Sequence, residues 1–160
     1  MDADTPLFEE QLAEEIKNYL SLQNILEEER KCLVARDFDA FTQLLGEKHL
    51  VLGQLEQRNL SRCKLLQARG HSIDKDGVLA LISNLSAEKQ APCQENWRLL
   101  NELIDDCSRL NSINARITHR AQSSNHHMLN LLRGDSAGFE LYGKNGTSHD
   151  RNGPLTITKV

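Results

Sequence analysis

Histidine and cysteine are the most selective metal ligands in this 160-residue sequence, and a metal site requires a particular spacing of them. His126 and His127 are adjacent, and adjacent residues of a helix point about 100° apart. No His, Cys or carboxylate stands three or four residues from either on the same face. Four cysteines are scattered without a Cys-x-x-Cys pair: Cys32, Cys63, Cys93 and Cys107. We therefore predict no metal site, no cofactor, and reduced thiols that pack as small apolar side chains.

The sequence contains no recognisable catalytic motif. No nucleophile, base and orienting group recur in a recognisable arrangement. The glycine-containing stretch GKNGTS, residues 143–148, lacks the spacing of a phosphate-binding loop. The sequence therefore predicts a protein that is not an enzyme and has no catalytic residues.

A weakened heptad pattern near the C-terminal end of the last predicted helix is the more informative feature. Asn114, Ala121 and Ser124 occupy seam positions where a self-sufficient coiled coil carries Leu or Ile. One interpretation is that Asn114 sets the register of the helix. The other is that this half of the helix is under-packed and offers a groove to a partner helix, with Ile117, Met128 and Leu131 as apolar anchors. The pattern alone leaves both interpretations open.

Two aromatic residues, Phe139 and Tyr142, stand in a glycine-rich segment and cannot belong to a heptad seam. They either fold back on the helices or serve as exposed anchors for another protein, and we favour anchors because aromatic residues concentrate binding energy at interfaces. The candidate partner-binding residues are Leu110, Asn114, Ile117, Ala121, Ser124, Met128, Leu131, Phe139 and Tyr142.

Long helices must position these residues. Apolar residues recur at three and four positions, as in the series Leu12, Tyr19 and Leu26, which are seven apart. The pattern predicts helices over about residues 6–35, 38–69, 78–85 and 93–132, with Pro92 marking the start of the last helix or a kink near it. Short connections between helices favour antiparallel neighbours.

The predicted fold class is all-α, an elongated coiled-coil-like bundle of long antiparallel helices with a flexible C-terminal tail. Residues 1–133 form the helical bundle. Residues 134–160 form the flexible tail, because they contain five of the nine glycines of the chain and many polar residues.

Charge and hydropathy exclude several classes of partner. The formal net charge is −4, with both signs interspersed, so we expect no binding to nucleic acid. The longest uninterrupted apolar run is the five residues 78–82, which is too short for membrane insertion. The first residues lack a charged-then-apolar leader, so we expect a cytoplasmic protein.

Several segments in a fixed order resemble the FlgN family of flagellar export chaperones. They include the acidic stretch at residues 25–29, Trp97 with Leu100, the segment CSRLNSINARI at residues 107–117, and the pattern LLRG…LYGKNG at residues 131–146. The resemblance spans about residues 7–148. One departure is that the family often shows Asn-Gly where this chain has Asn114-Ala115.

The resemblance implies a chaperone that binds the C-terminal helical segments of the flagellar hook–filament junction (hook-associated) proteins. Such a chaperone prevents their premature assembly and delivers them to the gate of the flagellar type III export apparatus. The alternative is a structural homodimer without client binding, in which the seam at residues 100–131 meets its own copy.

Overall fold

A computed structural model describes residues 5–133, with side chains from Phe8 onward, and confirms the all-α class. The four helices in this part of the chain are α1 (Thr5–Ala35), α2 (Phe38–Ala68), α3 (Lys75–Ser83) and α4 (Ala87–Arg133). The predicted flexible tail, with Phe139 and Tyr142, lies outside the described residues. Within residues 5–133, none of the helices is long and apolar enough to cross a membrane.

A two-residue connection turns the chain from α1 into α2. Arg36 adopts a left-handed conformation with φ of 59°, and the Asp37 amide donates to the Cys32 carbonyl at 3.0 Å, which closes the end of α1. Asp37 then caps α2, because its carboxylate accepts a hydrogen bond from the Ala40 amide at 3.1 Å. The tight turn makes α1 and α2 antiparallel neighbours, as the short connection predicts.

Helix α3 begins three residues earlier than predicted and ends two residues earlier. The reason is Asp74, whose carboxylate accepts a hydrogen bond from the Gly77 amide at 2.9 Å and starts the helix at Lys75. Gly77 packs so closely against Ser72 that a Cβ atom would overlap the Ser72 carbonyl. Glycine at this position therefore permits the loop and the helix to meet.

Helix α4 begins at Ala87, six residues before its predicted start. Pro92 lies inside the helix, so of the two readings of this proline the one that places it at the helix start is wrong. A proline near the beginning of a helix removes one backbone donor but leaves the remaining hydrogen bonds in place. The early start adds more than one turn to the helix that carries the candidate site.

Contacts along the bundle show the direction of each helix within residues 1–120. Lys89 pairs with Glu9 at 3.2 Å, and Asn114 donates to the Leu26 carbonyl at 2.8 Å, so α4 runs parallel to α1. Lys48 pairs with Glu29 at 3.0 Å and Arg62 pairs with Glu15, so α2 runs antiparallel to both. The prediction of antiparallel helices therefore holds for α2 against α1 and α4, whereas α1 and α4 are parallel because α3 and its loops return the chain.

Two groups of buried side chains form the core. The first joins all four helices and contains Phe8, Leu12, Leu66, Val78, Leu81, Ile82, Cys93, Trp97 and Leu100. The second joins α1, α2 and α4 and contains Leu22, Leu26, Leu55, Cys107 and Leu110. The seam residues that the heptad pattern predicts in the first half of α4 are thus packed against the other helices of the same chain.

The chain divides into two compact units, Met1–Arg120 and Ala121–Val160. The bundle core lies in the first unit. In the second unit, the described residues are 121–133, the C-terminal part of α4.

Candidate functional site

A polar layer ends the apolar core, and Asn114 lies at its centre. The Asn114 side chain is only 3% exposed, and its Nδ2 atom donates to the Leu26 carbonyl and to the Glu29 carboxylate, both at 2.8 Å. Lys48 reaches the same carboxylate at 3.0 Å and the Asn111 side-chain oxygen at 2.9 Å. Side chains of α1, α2 and α4 therefore meet in one hydrogen-bonded group.

This polar layer fixes the register of the three helices. A buried carboxylate needs an opposite charge and hydrogen-bond donors, and Glu29 receives both only when α2 and α4 are correctly aligned with α1. Among the described side chains, α1 has no buried apolar residue after Leu26, α2 has none before Leu55, and α4 has none after Leu110. The interpretation of Asn114 as a register residue therefore agrees with its contacts.

A second buried ion pair lies nearer the other end of the bundle. Arg62 pairs with the buried carboxylate of Glu15, and its guanidinium lies 5.3 Å from the ring centroid of Trp97. Burial raises the pKa of the Glu15 carboxyl, while the Arg62 and Arg58 charges lower it less. Among the described residues, Arg62 and Arg58 of α2 are the charges beside Glu15, so its pKa shift reflects packing between helices.

The thiols show the properties of core residues. All four cysteines are free, and Cys93 and Cys107 are buried. Burial raises the pKa of the Cys107 thiol to about 11 and also raises the pKa of Cys93, so both remain protonated near neutral pH. Residues 5–133 contain no group of three or more His, Cys, Asp or Glu side chains that could hold a metal.

Two of the predicted partner-binding residues are enclosed by the chain itself. Leu110 belongs to the second core group and Asn114 to the polar layer, so both side chains are buried within the chain itself. The expectation that they form a docking surface does not fit their burial, because α1 and α2 already cover this part of α4. Ile117 is half-buried.

The other predicted residues on α4 are exposed. Ala121, Ser124, Met128 and Leu131 all lie in the second unit, where Met128 is 60% exposed. Sequence reasoning missed two further exposed apolar side chains in the same turns, Leu129 and the 76% exposed Leu132. The run MLNLL was the available signal, since its spacing places apolar residues on more than one heptad position.

The end of α4 therefore combines a well-formed helix with uncovered apolar side chains. Within residues 121–133 these are Met128, Leu129, Leu131 and Leu132, preceded by the small and polar stretch AQSSN. Small residues let another backbone approach, and neighbouring apolar side chains can anchor it. A contiguous group of exposed apolar residues is a common mark of a protein interaction site.

The fold is an all-α helical bundle, and the last described turns of α4 carry exposed apolar side chains. Comparison with known proteins is more specific. Residues 3–150 match the family model of the FlgN protein, so the chain belongs to the FlgN family. This confirms the resemblance found in the sequence.

A solved crystal structure supports the same assignment. It is that of a flagella synthesis protein FlgN from Pseudomonas aeruginosa, with 30% sequence identity and a TM-score of 0.66. The similarity covers 82% of this chain and 98% of that chain. No curated protein matches this chain. Membership of the family places the chain among flagellar proteins with a chaperone-like role.

Proposed function

We propose that this protein is a cytoplasmic export chaperone for the hook–filament junction proteins of the flagellum. It binds their C-terminal helical segments, prevents premature assembly, and delivers them to the type III export apparatus. Binding and release require no covalent chemistry. Family membership supports the flagellar role, and the surface at the end of α4 supports the binding of a helix.

One observation supports a client site at the end of α4. In residues 121–133, four apolar side chains are exposed on a helix, although the bundle of residues 1–120 buries comparable side chains in its core. Leaving these side chains in water is unfavourable, and an amphipathic helix can cover them. A client segment held in this way has its own apolar face covered and cannot use it for assembly.

The test is a titration of the purified protein with the purified C-terminal segment of a junction protein. The variant carries three substitutions, Met128→Ser, Leu131→Ser and Leu132→Ser. Each exposed side chain contributes about 1 kcal/mol when covered, so we expect an affinity loss of about 100-fold. The matched control carries Leu50→Ser, Leu60→Ser and Leu79→Ser, which remove exposed leucines from α2 and α3.

The control has the same change in side-chain chemistry and should bind as the unmodified protein does. Equal affinity of the two variants would reject the placement of the site at the end of α4. Circular dichroism of each variant verifies that helix content is retained, since serine lowers helix propensity in both sets.

The segment after α4 is the second part of the proposed site, through Phe139 and Tyr142. Deletion of residues 134–160 should weaken capture of the client segment and leave helix content nearly unchanged. Unaltered capture by the truncated protein would remove both aromatic residues from the site.

A structural homodimer is the alternative function. The seam positions from Leu100 to Asn114 are filled by the chain's own helices, so a dimer seam of this kind is restricted to the later positions of α4. Sedimentation of the purified protein separates the two functions. A tight dimer without affinity for the client segment would favour the homodimer.

A further inference from the structure

The second half of α4 differs in charge from the rest of this acidic protein. Residues 107–133 contain four arginines and three histidines but no Asp or Glu. In contrast, α1 (Thr5–Ala35) contains seven glutamates and three basic residues. The helix that carries the candidate client surface is therefore a locally basic part of a chain whose net charge is −4.

Arg116 and Arg120 are the central residues of this segment. Both are exposed, and no ion pair or hydrogen bond within residues 5–133 includes either side chain. The arginines earlier on the same helix behave differently, since Arg98 pairs with two glutamates and Arg109 pairs with Asp106 at 3.0 Å.

The spacing of Arg116 and Arg120 is unfavourable in the free protein. Residues four apart are neighbours on a helix, and like charges at that spacing repel. No acidic residue stands three or four positions away on α4 to offset the repulsion. An acidic side chain from a partner would relieve it, so the pair favours a bound state over the free state.

The two arginines also lie beside apolar side chains. At 100° per residue, Arg120 lies about 60° around the helix from Ile117, and Arg116 lies about 100° from it on the same side. Ile113 and Ile117 are both half-buried. A charged edge next to an apolar strip is the arrangement by which coiled coils select the charge and orientation of the partner helix.

We propose that Arg116 and Arg120 select a client helix whose apolar face is flanked by Asp or Glu. This inference rests on the proposed chaperone function and specifies the chemistry of its client. The half-buried Ile113 and Ile117 give apolar contact beside the two arginines, and the arginines discriminate between client helices by charge.

The experiment measures binding of the C-terminal segment of a junction protein to the full chain and to Arg116→Glu/Arg120→Glu. We expect about a tenfold or greater loss of affinity, because each attraction becomes a repulsion. The control, Lys64→Glu/Lys75→Glu, makes the same change in net charge on α2 and α3 and should bind normally. Added salt should weaken binding by the unmodified chain more than binding by the arginine variant.

A charge-reversed client provides the positive test. A segment in which the flanking Asp and Glu residues are replaced by Lys should bind the arginine variant better than it binds the unmodified chain. Unchanged affinity of the arginine variant for the natural segment would overturn this inference and leave the chaperone function standing. Failure of the unmodified chain to bind any junction segment would overturn both.

Two other ligands of basic helices are further outcomes of the same test. The unmodified chain could bind duplex DNA or phosphatidylglycerol vesicles more tightly than it binds the client segment, and Arg116→Glu/Arg120→Glu could abolish that binding. This result would overturn the inference in favour of that ligand. We expect neither, because Ile113 and Ile117 beside the arginines suit the apolar face of a helix and the net charge of the chain is negative.

Discussion

Substitution of Asn114 by alanine tests the polar layer that aligns the three long helices. The change removes two buried hydrogen bonds, one to the Leu26 carbonyl and one to the Glu29 carboxylate. A hydrogen bond to a charged group contributes about 1.5–3 kcal/mol, and one to a carbonyl about 1 kcal/mol. We therefore expect Asn114→Ala to lower the free energy of unfolding by about 3 kcal/mol, which corresponds to a fall of about 10 °C in Tm.

The matched control is Asn111→Ala, three residues earlier on the same helix. Asn111 is exposed and accepts one hydrogen bond from Lys48, which keeps its pairing with Glu29, so we expect a loss below about 1 kcal/mol. Both substitutions make the same change in helix propensity. Urea denaturation followed by circular dichroism gives both values. Equal stability of the two variants would refute the role of Asn114 in fixing helix register.

Three further predictions concern the bundle. Leu100→Ala should lower the free energy of unfolding, measured by chemical denaturation, by about 2–5 kcal/mol because Leu100 is fully buried. Leu99→Ala on the exposed face should lower it by under about 1 kcal/mol, and similar losses in the two variants would contradict the assigned buried face of α4. Gly46→Ala should raise Tm and increase the free energy of unfolding by about 1 kcal/mol, since nothing lies within 4 Å of the added Cβ atom. Gly77→Ala should lower Tm because its Cβ atom would overlap the Ser72 carbonyl. Burial raises the folded pKa of Glu15 above 4.5, so the protonated carboxyl stabilises the fold below that pH, and this contribution is lost as pH rises through the folded pKa. When unfolding is measured against pH, the stability of the unmodified chain should rise on acidification relative to that of Glu15→Gln. A difference between the two that does not depend on pH would contradict the pKa shift.

The helical periodicity of the sequence predicts the fold class and most helix bounds. Leu12 and Leu26 are buried on α1 as their spacing predicts, and Gly70, with φ of 72°, ends the second helix as expected. The start of α4 could not be predicted in the same way. Pro92 is compatible with both a helix start and an early interior position, and the capping geometry that decides between them depends on the preceding loop.

Asn114 shows why the sequence alone could not decide between the two interpretations of the seam. A polar residue at a seam position has the same pattern whether it faces a groove or a buried partner. Its actual partner, Glu29, lies 85 residues away in the sequence, and local periodicity contains no information about that contact. The structure shows Ala121, Ser124, Met128 and Leu131 exposed, and their role in partner binding stays a prediction from the weakened seam.

Hydrogen exchange of backbone amides, measured with and without the C-terminal segment of a junction protein, tests the proposed client surface most directly. We expect slower exchange on binding for amides in residues 121–133, because a bound helix suppresses fraying of these turns of α4. Helix α3, residues 75–83, packs Val78, Leu81 and Ile82 into the bundle core and lies outside the proposed surface, so its amides should show no change. Unaltered exchange across residues 121–133 at a saturating concentration of the client segment would contradict the placement of the client surface there.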